Sequence, residues 1–481
     1  MRTRERLAKN KRIGSCLILR NHLAALLGER ARQDPEREVF IFLRDGEGPE
    51  DRLTYGELDR QARAIAAALQ AACAVGDRAI LLLPPGLEFV AAFFGCLYAG
   101  IVAVPAYPPR SRRMLPRLRS ILADCRPALA LTTSAALPRL AGWMDEEPVS
   151  DRLRWLAVDT VDAADIAAAG AFAEGGEDGD ALAFLQYTSG STAAPKGVMV
   201  SHANLIHNQK LIKDACGHDA DSVFVTWLPL YHDLGLIGNV LQAVYVGASC
   251  ALMSPVSFLQ RPRSWLEAVS RFRATTSGGP NFAYDLCARK VGEGDLAGLD
   301  LGSWRVAFNG AEPVRPETLE RFAAAFAPCG FAAGSFYPCY GLAEATLMVS
   351  GGDAGGPPVT GVFRAAALAV GRAEPAGPTE EGVRALASSG RPLGGQEVLV
   401  VDPETVEPKN DGEIGEIWLA GPSVARGYWG NPAASAATFG ARLADGRGPF
   451  LRTGDLGFLD DGNLFVTGRH KDLIIIRGRN Y

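Results

Sequence analysis

The chain has 481 residues, 48% of them hydrophobic, with 49 lysines and arginines against 54 aspartates and glutamates, a net charge of −5 and a mean hydropathy of +0.05. That is apolar material for more than one core, in roughly two to four units, and the charge balance gives no electrostatic case for nucleic acid. No apolar run of roughly 20 residues offers an integral membrane segment, and nine scattered cysteines without a C-x-x-C pair read as reduced, cytoplasmic thiols rather than a disulfide or zinc framework.

The basic start, Arg2 to Arg12, runs into an apolar stretch broken by Gly14 and Ser15 and closed by Arg20, which suits a surface helix rather than a secretory signal. Leu53 to Ala72 has helical periodicity opening at Thr54, Ala79 to Leu83 is strand-like, Leu87 to Ala99 is an apolar helix, and Ile101 to Val104 is a further strand. This rhythm predicts a parallel sheet covered by helices. A second cycle places strands at 181–187, 224–227, 249–253, 274–277 and 305–309, with helices at 265–272 and 316–326 between them. After about Ser350 the texture changes to Gly, Pro and Ala, followed by short strands at 397–401, 413–419 and 464–466. The expected architecture is α/β: two stacked α/β layers, then a small β-rich subdomain.

Between two of these strands lies YTSGSTAAPKGVMVSH, Tyr187 to His202. Thr188, Ser189, Ser191 and Thr192 supply hydroxyl donors, Gly190 admits close approach of backbone N–H groups, and Lys196 adds a point charge, which together suit a triphosphate such as ATP. By composition alone it is also an ordinary Ser/Thr/Gly turn. A Walker A loop is disfavoured, because the order here is Pro195, Lys196, Gly197 and then a strand, not Gly-Lys-Ser/Thr and a helix.

The string closely resembles the phosphate-binding signature of the adenylate-forming superfamily, which includes acyl-CoA synthetases, peptide-synthetase adenylation domains, luciferases and fatty acyl-AMP ligases. Four further clusters extend the resemblance. In Trp227 to Gly238, WLPLYHDLGLIG, His232 sits at a strand's carboxyl end, where α/β sheets place ligands; alone it reads as a turn residue, and within the family it flanks the acyl carboxylate. A steric and orienting role by a neutral imidazole is expected. The next cluster, Asn309, Gly310, Ala311, Glu312 and Pro313, implies adenine recognition by backbone groups and Asn309, with Gly310 permitting an unusual backbone conformation. In Tyr337 to Thr346, YPCYGLAEAT, Tyr340 can stack on a purine beside Gly341 and Leu342. Glu344 can hold Mg²⁺ together with phosphate oxygens. Without their neighbours these two read as a core aromatic and a helix N-terminal acid. Finally, RTGD at 452–455 and GRHKD at 468–472 resemble the family's RTGDLG and GRxKD signatures: Asp455 can accept both ribose hydroxyls, Arg469 can reach ribose or phosphate oxygens, and Lys471 takes the hinge position.

The resemblance runs from about Thr54 to Tyr481. It implies ATP-dependent formation of an acyl-adenylate with release of pyrophosphate, with Lys196, His232 and Glu344 as the residues nearest the chemistry, and the family's large domain as the fold, its small subdomain a distorted β-barrel. The resemblance implies that His232, Gly278, Gly279 and Phe282 border the acyl substrate, and the LPLYHDLGLIG form and SGGPNFAY point to the fatty acyl-AMP ligase branch and to a fatty acid as that substrate. So does the added segment 351–389, with an amphipathic element over 362–370. In that branch the insertion is associated with failure to use coenzyme A, which leaves the phosphopantetheine of an acyl carrier protein, or of a polyketide or peptide synthase carrier domain, as acceptor. As composition alone the same segment is a surface loop. The expected divisions are 1–350 for the ATP and acyl sites, 351–389 for the insertion, 390–470 for the β-rich unit and 471–481 for the hinge. The family's small C-terminal domain with its catalytic lysine would begin where this sequence stops, so weakened adenylation by the chain alone is expected. Two other readings stand beside this one: a fragment of an acyl-CoA or aryl-CoA ligase, and a nucleotide-binding module without turnover.

Overall fold

The computed structural model describes residues 22–44, 50–144, 153–161, 179–188 and 195–469, with the backbone of 475–476 and 479–480. The basic start Arg2 to Arg12 lies outside them. Among the described residues two large sheets carry the molecule. The first has six strands in the order Arg154–Ala157, Leu129–Thr132, Arg78–Leu81, Val102–Pro105, Leu182–Tyr187 and Gly197–Ser201, parallel except for the last pair. The second has nine, its centre a parallel run of Glu38–Leu43, Ser249–Met253, Val223–Thr226, Thr276–Gly279, Val306–Asn309 and Phe336–Gly341, with antiparallel strands at both edges. These are the two α/β layers read from the sequence, and the agreement extends to the buried character of the strands: every residue of Leu129–Thr132, Val102–Pro105, Thr276–Gly279 and Val306–Asn309 is buried. Parallel strands covered on both faces need such unbroken apolar or small runs.

Helices between the sheets explain why the two layers lie so close. Leu87–Ala99 is buried at every position but Glu88. It packs on Tyr55–Ala72, which opens with a reciprocal capping box between Thr54 and Glu57. A Cβ at Gly95 would come within 2.7 Å of Ile65 Cγ2 and 3.2 Å of the Ala62 carbonyl, so alanine there would force the two helices apart and cost about 1–3 kcal/mol as overpacking. Another helix, His202–Cys216, is capped by Ser201 and Asn204 and ends at Gly217 in the left-handed conformation (φ 66°). It runs from the strand after the hydroxyl-rich loop to the amino end of Val223–Thr226, a path that matters below.

Beyond residue 390 the chain forms a four-stranded antiparallel sheet, Glu397–Val401, Gly415–Ala420, Leu451–Asp460 and Asn463–Arg469. Its apolar face joins the second large sheet through one cluster, in which Tyr340, Ala345 and Val349 meet Ile417, Leu419, Leu451 and Leu464. The Gly/Pro/Ala-rich segment before it is not a plain loop. Thr360–Arg364 and Val383–Ala387 pair as an antiparallel hairpin, and Phe363 is held by edge contacts to Phe458 and Phe465 at 5.1 and 5.5 Å. The amphipathic element expected at 362–370 divides between the end of this strand and a short helix, Ala365–Leu368. No described helix is long and apolar enough to cross a membrane.

Candidate active site

The carboxyl ends of the parallel strands of the nine-stranded sheet open into a cavity of about 1640 Å³, which the four-stranded sheet closes from the other side. The hydroxyl-rich loop joins two strands, as the sequence implied, and the structure makes them antiparallel neighbours: Leu182–Tyr187 pairs with Gly197–Ser201, and the Thr188 N–H donates to the Lys196 carbonyl at 3.2 Å. Thr188 and Lys196 line the cavity. Ser189, Gly190, Ser191 and Thr192 lie outside the described residues, as does Lys471.

Lys196 is placed by a residue that the motifs did not single out. Residues 426–429 add to the free edge of Gly197–Ser201, with Met199 N–H donating to the Gly427 carbonyl and Trp429 N–H to the Gly197 carbonyl, both within 2.9 Å. This puts the Tyr428 ring under the Lys196 ammonium, 4.5 Å from its centroid. The Tyr428 hydroxyl donates to Glu344 Oε1 at 2.8 Å. One aromatic side chain thus holds both the cation and the carboxylate, by a cation–π contact and a hydrogen bond. Burial pushes the Glu344 carboxyl up from its ordinary value, and the Tyr428 hydroxyl partly offsets this. A divalent cation beside it would relieve the same cost. No group of three or more His, Cys, Asp or Glu side chains forms a ready-made metal cage among the described residues. A hard cation here would therefore take one carboxylate and complete its shell with substrate and water oxygens, the arrangement Mg²⁺ favours.

Glu344 follows a strand that ends in tight backbone. Thr346 has φ 68° and ψ −62°, and Leu347 N–H reaches the Ala345 carbonyl at 2.8 Å, which makes a γ-turn of the rare strained kind. The Thr346 hydroxyl donates to the Ser423 carbonyl at 2.6 Å, and that bond helps to hold the turn. Strain of this order persists where surrounding contacts over-determine it.

The third group is built across strands. Asp455 and Arg469 are partners in register on Leu451–Asp460 and Asn463–Arg469. Arg469 Nε donates to Asp455 Oδ1 at 2.9 Å, and the Tyr340 hydroxyl donates to Oδ2 at 2.7 Å. Asp455 follows Gly454, whose φ of 72° is the tight glycine turn expected. That turn is fixed by Glu416, which accepts from Gly454 N–H at 3.1 Å and from two nitrogens of Arg452 at 2.9 and 2.6 Å. The Tyr340 hydroxyl and Arg469 Nε fix the orientation of the Asp455 carboxylate, which lines the cavity.

Four expectations are corrected. The unusual backbone in the 309–313 cluster belongs to Ala311, at φ 67°, not to Gly310. Gly310 is needed for close approach instead, since a Cβ there would lie 2.9 Å from both the carbonyl oxygen and Sγ of Cys339. Asn309 is wholly buried, neither atom of its amide has a partner, and it does not line the cavity; Gly310, Ala311 and Glu312 do. Gly278 and Gly279 are packing glycines, because a Cβ would meet the Phe308 carbonyl at 2.1 Å or Trp227 at 2.7 Å. Phe282 is 41% exposed, away from the cavity lining, with its N–H bonded to Glu312 Oε1 at 2.6 Å. His232 does line the cavity. Burial opposes the imidazolium, yet Asp233, whose Oδ1 is 2.5 Å from Nδ1, more than compensates and raises the His232 pKa. Its side chain is half exposed.

Polar walls do not continue to the bottom. Beyond Gly341 and Leu342, which line the mouth, the lining passes to Leu347, Met348, Phe308, Val306, Cys339, Ile212 and Cys216. This apolar shaft runs beside the sheet from strand carboxyl ends toward amino ends, four residues of Val306–Asn309, or roughly 13 Å of strand.

The fold and these clusters define a nucleotide-dependent enzyme class: the AMP-binding enzyme family model matches residues 27–429, and the chain belongs to that family. Among curated relatives it is 47% identical over 466 residues to the medium-chain-fatty-acid–[acyl-carrier-protein] ligase JamA of Moorena producens, covering 95% of this chain and 78% of that protein. It is 37% identical over 493 residues to TtuA of Teredinibacter turnerae, a ligase of the same description, covering 94% and 77%. A crystal structure of fatty acyl-adenylate ligase from L. pneumophila, in complex with acyl adenylate and pyrophosphate, superposes with a TM-score of 0.89 at 41% identity, covering 95% of this chain and 78% of that one.

Proposed function

We propose that this enzyme activates a fatty acid with ATP, forming fatty acyl-AMP and pyrophosphate, and passes the acyl group to the phosphopantetheine thiol of a carrier protein. One observation carries the reading: a single cavity joins the polar cluster of Lys196, Glu344, Tyr340 and Asp455 to an apolar shaft ending among Ile212, Val306 and Phe308. A nucleotide fits the first end and an aliphatic chain the second, which leaves the carboxylate and the α-phosphate to meet between them.

An ionised carboxylate oxygen attacks the α-phosphorus, a new P–O bond forms, and the bond to the bridging oxygen breaks to release pyrophosphate. No proton and no protein nucleophile are required. What the chain must do is bring two anions together and neutralise charge. In our reading Lys196, supported on Tyr428, faces the phosphates. Glu344 would hold Mg²⁺, which when bound supplies charge neutralisation on the departing oxygens. Asp455, oriented by Tyr340 and Arg469, accepts the ribose hydroxyls; the backbone of 310–312 borders the base. His232, beside Asp233, orients the acyl carboxylate at the mouth of the shaft. The hairpin of residues 360–364 and 383–387 contributes Arg384 to Ala387 to the cavity wall, and through Phe363 it is tied to the small sheet. That tie supports the reading in which the insertion restrains the rearrangement needed for coenzyme A. With no membrane-spanning helix described, a cytoplasmic setting suits the reduced cysteines.

The deciding experiment supplies ATP, Mg²⁺ and a medium-chain fatty acid and follows pyrophosphate exchange, then offers coenzyme A or a holo carrier protein. Exchange followed by acylation of the carrier protein alone is the expected result. Acyl-CoA as the product would favour the coenzyme A ligase reading, and absence of exchange would leave only nucleotide binding.

A further inference from the structure

The floor of the apolar shaft is not apolar throughout. His218, in the connection between helix His202–Cys216 and strand Val223–Thr226, and Thr276, at the amino end of Thr276–Gly279, are 5% and 2% exposed and line the cavity, far from the phosphate and ribose groups. His218 Nε2 lies 3.0 Å from Thr276 Oγ1, and its Nδ1 lies 3.3 Å from the side-chain amide of Gln242. The amide orientation that satisfies Gln242 donates from its nitrogen to the Gln209 carbonyl at 3.2 Å. This turns the amide oxygen toward His218, so Nδ1 carries the hydrogen and Nε2 is an acceptor. Burial agrees, pushing the His218 pKa down to about 4 and keeping the ring neutral.

The direction of the last bond follows. A neutral ring with hydrogen on Nδ1 accepts at Nε2, so the Thr276 hydroxyl spends its only hydrogen there. Its oxygen still has an unfilled acceptor position. The surroundings are apolar: Phe224 stands edge-on to His218 at 4.8 Å, and Cys216, Val306 and Phe308 form the adjacent wall. In such a place an acceptor left without a donor carries a desolvation cost. A methyl-terminated chain cannot relieve it, whereas a hydroxyl can.

We propose that the Thr276 end of the shaft selects carboxylic acids whose far terminus bears a hydroxyl group, with His218 as the residue that fixes Thr276 as an acceptor. This rests on the acyl-adenylate reading of the cavity and adds the substrate class.

The test measures binding rather than turnover. Acyl-adenosine sulfamates of increasing chain length, each with a methyl, hydroxyl or methoxy terminus, are titrated into the 481-residue chain by calorimetry. One chain length is expected at which the hydroxyl member binds about tenfold tighter than the other two, the worth of one net hydrogen bond in an apolar site. The methoxy member separates a need for a donor from mere tolerance of oxygen. Thr276→Val is expected to bring the three termini within about twofold of one another, while the length scan on the unaltered chain tests the idea without a variant. Equal binding of hydroxyl and methyl termini at every length would overturn the inference and leave the acyl-adenylate reading standing. A methoxy member as tight as the hydroxyl, or a preference that survives in Thr276→Val, would also overturn it. Binding of none of the compounds would sink the underlying reading and this inference with it.

Discussion

The two ends of the cavity are built by different rules. At the nucleotide end, side chains from distant parts of the chain cross-link one another before any ligand arrives: Tyr340 and Arg469 hold Asp455, and Tyr428 holds Lys196 and Glu344. At the end read as acyl-binding the lining is largely apolar, with Thr276 and His218 meeting at its floor. Fixed dipoles are worth most where charge develops. A shaft for methylenes needs only volume and the absence of water. The nucleotide end should therefore be brittle to single changes, and the acyl end graded.

The largest effect is expected at Asp455. Asp455→Asn keeps the shape but removes the charge that pairs with Arg469. Hydrogen bonds to a charged group are worth about 1.5–3 kcal/mol each, and in our reading two ribose hydroxyls lose that partner, so pyrophosphate exchange should fall by at least about 100-fold, with a rise in the KM for ATP. An exchange rate within about threefold of the unaltered protein would mean that the ribose end is not the brittle one.

Glu344→Gln comes next. Exchange should fall about 30-fold, since the amide oxygen can still reach the cation while the charge that neutralises it is lost. Its magnesium midpoint should move upward, which distinguishes loss of a cation ligand from a packing defect.

The acyl end should respond by degree. Val306→Trp fills the lower shaft, and each methylene it excludes forfeits about 0.8 kcal/mol, or about fourfold in affinity. Long acids should lose several times that factor while short ones are spared. Uniform loss at all lengths would contradict the placement of the chain along Val306.

The smallest effect concerns the element joining both ends. His202 begins the helix that runs from the hydroxyl-rich loop to the shaft floor, and its ring stacks on His22 at 3.6 Å. Burial pushes His22 down to about 4, and burial together with its neighbour pushes His202 to about 3, from an ordinary 6.5. Folded values below unfolded ones mean that the unfolded chain binds more protons between these limits. Stability should be whole above pH 6.5 and decline as pH falls toward 4, read as a falling denaturant midpoint. His202→Phe should flatten that slope, and an unchanged slope would remove the pair as its cause.

Much of the fold was legible because parallel strands buried on both faces leave strong marks. Leu87–Ala99, Ser249–Met253, Pro316–Phe326 and Glu397–Val401 have the boundaries that their apolar periods implied. Strands such as Glu38–Leu43 and Leu129–Thr132 passed unmarked, because short apolar runs of this kind read equally as helix or loop. In the site, Lys196, Glu344, Tyr340, Asp455 and Arg469 announced themselves through unusual local order. Tyr428 gave no such signal, since its role comes from the pairing of residues 426–429 with a strand more than two hundred positions earlier.

By itself the sequence determined the α/β alternation, the order of the motifs and the identity of the polar groups, since these are properties of local spacing and residue chemistry. Only the tertiary structure decided which of those groups face one cavity. Asn309 sits in a motif as persuasive as the rest, yet it is turned into the packing, while its neighbour Phe308 and the distant Tyr428 are turned to the cavity. The reason is that side-chain direction alternates along a strand and depends on which neighbours cover each face, and those neighbours are set by contacts far apart in the chain.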